Sequence, residues 1–297
     1  MSLINFIKES LSEIQKHKSD SFEYIGINIS DGCITNQKIY YRPILISDNS
    51  NIFPGSQSIY NGLTKVNANV KICDYSQSYY RGQSSNRVVF TVPNSISDVE
   101  CCQIISAFFN TVGFNNVQKQ LLSELDMIKS IIGMSYSPLM QLGVECSSSG
   151  NYLAVKYYIS IKDELCQLND YGSTQQQIIQ SLSNVNTVDA AQLNKRIESI
   201  CANDFSPIFI GVNSDEIIFE QKLYFIHRYM SRNYDIPNKT KKLITALEIT
   251  NAISFDDIIN IIDMGLYIEG IAISINNNSI RLYFNYIPGQ RRKKHEM

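Results

Sequence analysis

One short pattern constrains this chain more than any other: a cation, any residue, then a tyrosine, placed at the end of a two-stranded segment. It occurs as Lys38-Ile39-Tyr40, Lys156-Tyr157-Tyr158, Lys222-Leu223-Tyr224 and Arg281-Leu282-Tyr283. Residues two apart on a strand point to the same face. Each segment therefore sets a positive charge and a phenol side by side. Ahead of each lies an apolar-glycine-apolar step: Ile25-Gly26-Ile27, Leu142-Gly143-Val144, Ile210-Gly211-Val212 and Met264-Gly265-Leu266. A fifth triplet, Arg232-Asn233-Tyr234, falls in a stretch that reads as a loop.

The positions repeat. Lys156 to Lys222 spans 66 residues, Lys222 to Arg281 spans 59, and Lys38 to Lys156 spans 118, close to two such steps. A fixed period of this size marks one supersecondary unit used several times. The missing member is expected near residues 64–93. There Val66 to Cys73 and Arg87 to Val92 read as two further strands, carrying Arg87 but no tyrosine two places on.

Between these hairpins the apolar period changes from two to 3.6. Helices are expected over 97–109, opened by the cap-like Ser97-Asp98-Val99-Glu100, and over 117–132, with Gly113 between them. A second pair is expected over 173–182 and 188–201, and a third over 239–250 and 255–264. The first 18 residues carry a helical stripe at positions 3, 4, 7, 11 and 14. Antiparallel hairpins separated by helix pairs can close into one barrel with the helices outside, which also removes exposed sheet edges. The expected fold is α/β (α+β), a ten-stranded antiparallel barrel of repeated ααββ units. The expected single domain covers 1–290, with a basic, disordered tail at 291–297.

Composition narrows the classes. A chain of 297 residues with 44% apolar and 18% charged residues has enough material for a sizeable core. A formal net charge of −2 argues against nucleic acid as a partner. Seven cysteines with no CxxC spacing read as reduced thiols rather than disulfides or a zinc site. No stretch reaches the roughly 18 apolar residues of a membrane span, and no signal-peptide core is seen, so a cytoplasmic protein without a membrane partner is expected. Walker, GxGxxG, HExxH and DDxxD motifs are absent, and His17, His227 and His295 do not cluster in sequence.

On particular residues the chain resembles the soluble aromatic prenyltransferases of the ABBA, or PT-barrel, family. Ser21-Phe22-Glu23-Tyr24, Asn28 and Lys38-Ile39-Tyr40-Tyr41-Arg42-Pro43-Ile44 look like the first-hairpin signature of the indole prenyltransferases. Gly143-Val144-Glu145 followed by Lys156-Tyr157-Tyr158 looks like the family's Lys-x-Tyr strand. The chain departs from the family at Glu220, where a further basic residue is usual, at Arg42, where Glu is usual, and in the short polar link 47–65.

The resemblance implies an enzyme that moves a prenyl group, dimethylallyl first among them, from its diphosphate to an aromatic small molecule or peptide. Lys38, Lys156, Lys222 and Arg281 would hold the anionic diphosphate. Tyr40, Tyr158, Tyr224 and Tyr283 would donate hydroxyls to it and screen the carbocation. Glu23 would be the catalytic carboxylate that orients the acceptor through its N–H or O–H. No protein-bound metal is expected, and magnesium is a cofactor of some members only. Three rival readings stand beside this one: a side-chain prenyltransferase for ribosomal peptides, a non-catalytic barrel for an anionic or aromatic ligand, and a structural protein. In the last, the Lys-x-Tyr pairs form an ordinary solvated face.

Overall fold

A computed structural model describes residues 3–16, 22–41, 55–80, 83–93, 96–132, 137–147, 149–161, 190–215, 217–227, 235–275 and 277–287, with positions 177 and 181. Ten antiparallel strands close into a barrel. They are β1 (Phe22–Ser30), β2 (Cys33–Tyr41), β3 (Lys71–Tyr80), β4 (Gln83–Thr91), β5 (Leu139–Ser147), β6 (Tyr152–Ser160), β7 (Phe205–Ser214), β8 (Phe219–His227), β9 (Leu266–Ser274) and β10 (Ile280–Tyr286). Every strand pairs with its sequence neighbours, and β1 with β10 completes the ring.

Seven helices are present among the described residues. They are α1 (Leu3–Lys16), α2 (Ser56–Val66), α3 (Asp98–Val112), α4 (Asn115–Ile132), α5 (Ala190–Cys201), α6 (Ile236–Ala246) and α7 (Phe255–Asp263). Helix pairs precede β5 and β9, and α2 alone precedes β3 among the described residues. Expected strand residue Val66 instead ends α2, and β3 begins only at Lys71. The expected helix over 173–182, apart from helical positions 177 and 181, lies outside the described residues, as do the Arg232 triplet, Arg42 and the tail 291–297.

Local chemistry explains the boundaries. The Ser97 hydroxyl accepts from the Glu100 amide at the start of α3, and Gly113 ends that helix at φ 92°, a left-handed conformation that glycine adopts without strain. Ser254 and Asp257 form a reciprocal capping box on α7. One alternate set of strand residues joins the helices in a common core. Ile27, Phe90, Val144 and Phe225 from the barrel share it with Ile7, Ile59, Phe108 and Ile258 from the helices, all at most 2% exposed. Each such side chain contributes about 1.5–3 kcal/mol when fully buried. The opposite set of strand residues meets across the barrel.

No helix among the described residues is long and apolar enough to cross a membrane. Six described cysteines are free thiols, with Cys101 and Cys146 buried.

Candidate functional site: a charged and an aromatic cavity side by side in the barrel

The Lys-x-Tyr residues are not a solvated face. Lys38, Lys156 and Lys222 are 4–5% exposed, and Tyr40 and Tyr158 are also buried. They project from the second strand of their hairpins, where the partner strand keeps a small residue opposite the cation. Lys38 faces Gly26, Lys156 faces Gly143, Lys222 faces Gly211 and Arg281 faces Ala272. Tyrosine rings lean back over two of these gaps, at Gly26 and Gly211. A Cβ on Gly26 would stand 2.7 Å from the Tyr40 ring, and one on Gly211 would stand 2.5 Å from Tyr224 and 2.9 Å from Tyr158.

The fourth hairpin corrects the sequence reading. Gly265 precedes β9 in a left-handed turn at φ 83°. The glycine inside the strand is Gly270, paired with Tyr283.

The tyrosines form a girdle around the interior. Tyr40 and Tyr283 pack edge-to-face with centroids 5.6 Å apart, Tyr283 and Tyr224 lie 6.2 Å apart, and Tyr224 and Tyr158 lie 5.7 Å apart. Arg87 closes the ring. Its Nη1 donates to the Tyr158 hydroxyl at 3.1 Å, and its guanidinium carbon sits 4.8 Å from the Tyr40 centroid. Through Ser76 on β3, Arg87 stands level with Tyr40 rather than with Lys38. The hairpin without a tyrosine thus puts an arginine in the tyrosine's place.

On one side of the girdle is a cavity of about 330 Å³ lined by Lys38, Arg87, Lys156, Lys222 and Arg281. Glu145 bridges Lys38 at 3.3 Å and Lys156 at 3.1 Å, and accepts from Ser85 at 2.5 Å. Glu220 pairs with Lys222 at 3.0 Å and accepts from Ser279 at 3.0 Å. The Lys156 ammonium also donates to Asn213 at 2.7 Å, and Lys222 to Asn28 at 3.4 Å. With Arg87 paired to Asp74, the other four cations against these two carboxylates leave the cavity positive.

Burial sets the titration of these groups. It lowers Lys38 and Lys156 to about 8, against the opposing pull of Glu145. It lowers Lys222 to about 7, and neighbouring Arg281 adds to the effect. Burial pushes Glu145 up, but Lys156 and Lys38 outweigh it and hold the carboxyl well below the usual carboxylate range. Burial also keeps the Tyr224 and Tyr283 phenols well above their ordinary value.

On the other side is a cavity of about 250 Å³ with aromatic walls, among them Tyr24, Tyr40 and Phe209. Phe209 stacks on Tyr224 with centroids 4.6 Å apart. The two cavities share Arg87, Tyr158 and Tyr224. Glu23 lies on β1 where the β1–β2 register shifts between Phe22 and Tyr24. Its side chain lies outside the described part of the structure.

All eight of the other expected site residues meet in this interior. Arg87, Glu145, Asp74 and Phe209 were not among them. The signal for Arg87 and Glu145 was present in their strand parity. Asp74 and Phe209 follow register shifts, at Ile72/Asp74 and Pro207/Phe209, that sequence parity does not reveal. Among the described residues no group of three or more His, Cys, Asp or Glu gathers as a metal site. Comparison with protein-family models finds no match, and comparison with curated proteins finds none either.

Proposed function

We propose that this chain is a barrel prenyltransferase that transfers a prenyl group, dimethylallyl first among them, from its diphosphate to an electron-rich aromatic acceptor. One observation carries the reading: a cavity lined by five cations shares Arg87, Tyr158 and Tyr224 with an aromatic cavity beside it. The finer architecture belongs to the same proposal. The barrel is built from ααββ repeats, the second reduced by the short link that holds α2, and the helices clothe its outside in one domain over 1–290.

The chemistry divides along the two cavities. As the allylic C–O bond breaks, its electron pair leaves with the diphosphate, and charge grows on the oxygens facing Lys38, Lys156, Lys222 and Arg281. Fixed cations in a water-poor site stabilise that charge without reorganising. The allyl cation then faces the π-electrons of Tyr40, Tyr158, Tyr224 and Tyr283, worth about 0.5–2 kcal/mol per favourable ring. Those rings also keep out water, which would capture the cation. The acceptor ring attacks from the aromatic cavity, with Glu23 as its orienting carboxylate, and its displaced proton passes to the released diphosphate.

The test is a thermal shift of the full chain with dimethylallyl diphosphate, geranyl diphosphate and inorganic diphosphate, each with and without magnesium. Saturation at 100 times Kd stabilises the fold by about 2.7 kcal/mol. The expected shift is several degrees, reduced in Lys156→Ala and Lys222→Ala. No shift with any of the three at millimolar concentration removes the proposal. A shift without prenylated product, across small aromatic and peptide acceptors, leaves a ligand-binding barrel.

A further inference from the structure

The aromatic cavity carries charge that the proposed reaction does not use. Asp74 and Glu269 both line it, and Arg87 is the one cation among its lining residues. Arg87 is engaged by Asp74 through Oδ2 and by the Tyr158 hydroxyl. Oδ1 of Asp74 is buried and accepts no hydrogen bond among the described residues. Glu269 accepts from the Tyr267 hydroxyl at 3.1 Å and the Asn285 amide at 2.8 Å, both neutral donors, and forms no ion pair among the described residues. The cavity is therefore net negative, with one free buried acceptor and one unneutralised carboxylate set among tyrosine and phenylalanine faces.

Carboxylates and electron-rich ring faces attract the same kind of guest. A cation over an aromatic face gains electrostatic energy, and a desolvated carboxylate gains still more from a charged donor. A buried acceptor left unmade costs about 1–3 kcal/mol, which a ligand N–H recovers. Burial raises the pKa of Asp74 against the pull of Arg87, so its charged form is under-compensated as the site stands. An anionic or purely apolar guest would leave both carboxylates worse off.

We infer that the aromatic cavity selects an aromatic amine, a ring compound bearing a protonated nitrogen that donates to Asp74 Oδ1 and is neutralised by Glu269. This deepens the proposed function and rests on it only for calling the guest an acceptor. The two charged partners of the reaction would then sit on opposite sides of the girdle. The amine meets carboxylates on one side, and the diphosphate meets cations on the other.

The experiment is calorimetric titration of the full chain with tyramine, para-ethylphenol and para-hydroxyphenylpropanoate, which share a ring and differ in charge. Tryptamine, ethylindole and indole propanoate form a second such set. The amine of at least one set is expected to bind at least tenfold more tightly than its neutral isostere, with the acid weakest. That preference should vanish in Glu269→Gln, which breaks no ion pair, and in Asp74→Asn. Neutral isosteres that bind as tightly as the amines in both sets overturn the inference. So does the absence of amine binding at millimolar concentration. Inorganic diphosphate, titrated into the same protein, separates the two claims. Amine preference without diphosphate binding sinks the prenyltransferase reading alone, and the reverse result sinks this one alone.

Discussion

The ring of Tyr224 lies so close over Gly211 that a Cβ at that position would sit 2.5 Å from it, with the Tyr158 ring 2.9 Å away on the same side. Glycine is required there because two girdle rings occupy the space of a side chain. The φ of Gly211 is ordinary, so the requirement is steric and not conformational.

Gly211→Ala should therefore destabilise the fold by about 1–3 kcal/mol, the usual cost of overpacking a filled interior. Gly62→Ala is the matched control. It lies in α2, and its new Cβ would meet only the Thr111 hydroxyl at 3.9 Å. Replacing a helix-interior glycine with alanine stabilises by up to about 1 kcal/mol. Urea denaturation should move the two midpoints in opposite directions. Equal midpoints for Gly211→Ala and the parent chain would mean that the girdle is loosely packed.

Much of this site was legible because strand parity is rigid. Lys38 and Tyr40, or Lys222 and Tyr224, must share a face once the strand is recognised, and closure of the barrel turns a face into an interior. Gly26 and Gly211, opposite Lys38 and Lys222, belong to the same signal, since the Tyr-over-Gly contact needs both partners. Parity fails at bulges. Register shifts beside Asp74 and Phe209, and one between Tyr283 and Phe284 opposite Glu269, change which residues face inward. Gly265 fits the apolar-glycine-apolar pattern and Gly270 does not, because Glu269 precedes it. Arg87 reads in sequence as an incomplete motif, and in the barrel its long side chain takes a tyrosine's place in the ring.

Glu145 holds two lysines at once, so Glu145→Gln should separate stability from ligand affinity. Removing one partner of a buried pair leaves uncompensated charge and costs about 3–5 kcal/mol in a fully buried setting. Glu145 is 16% exposed, which places the expected loss below that range. Lys38 and Lys156 are then free for an anion, and diphosphate should stabilise the variant more than it stabilises the parent chain. Thermal unfolding with and without diphosphate reads both signs. A variant as stable as the parent would show that the ion pairs contribute no net stability.

A second buried carboxyl lies away from the cavities. Glu124 on α4 accepts from the Tyr157 hydroxyl at 2.8 Å and from the Gln221 amide at 2.7 Å. Burial raises its pKa to about 7, against those hydrogen bonds. The folded protein then binds a proton that the unfolded chain has released above its ordinary value near 4.5. Stability from this group is full below that value and is lost as pH rises to about 7. Glu124→Gln should flatten the fall in Tm between pH 4.5 and 7. An unchanged slope in the variant would exclude Glu124 as its source.

The interior lysines impose the opposite slope at higher pH. Folded values of about 8 for Lys38 and Lys156 and about 7 for Lys222 stand below the ordinary 10.5 of the unfolded chain. Between pH 7 and about 10 the unfolded chain therefore binds more protons, and stability must rise with pH. Below pH 7 both states are protonated, and the full cost of burying the ammonium groups is present. Anion binding runs the other way, because a diphosphate needs the lysines charged. Its affinity should be highest below pH 7 and fall as pH passes through 8. Binding should also draw in protons, seen as a dependence of the calorimetric heat on the ionisation enthalpy of the buffer. Lys222→Met should move the onset of the stability rise from about pH 7 to about pH 8 and leave the upper limb in place. Stability that falls from pH 7 to 9, with diphosphate affinity constant over the same range, would show that the lysines keep ordinary values and meet water inside the barrel.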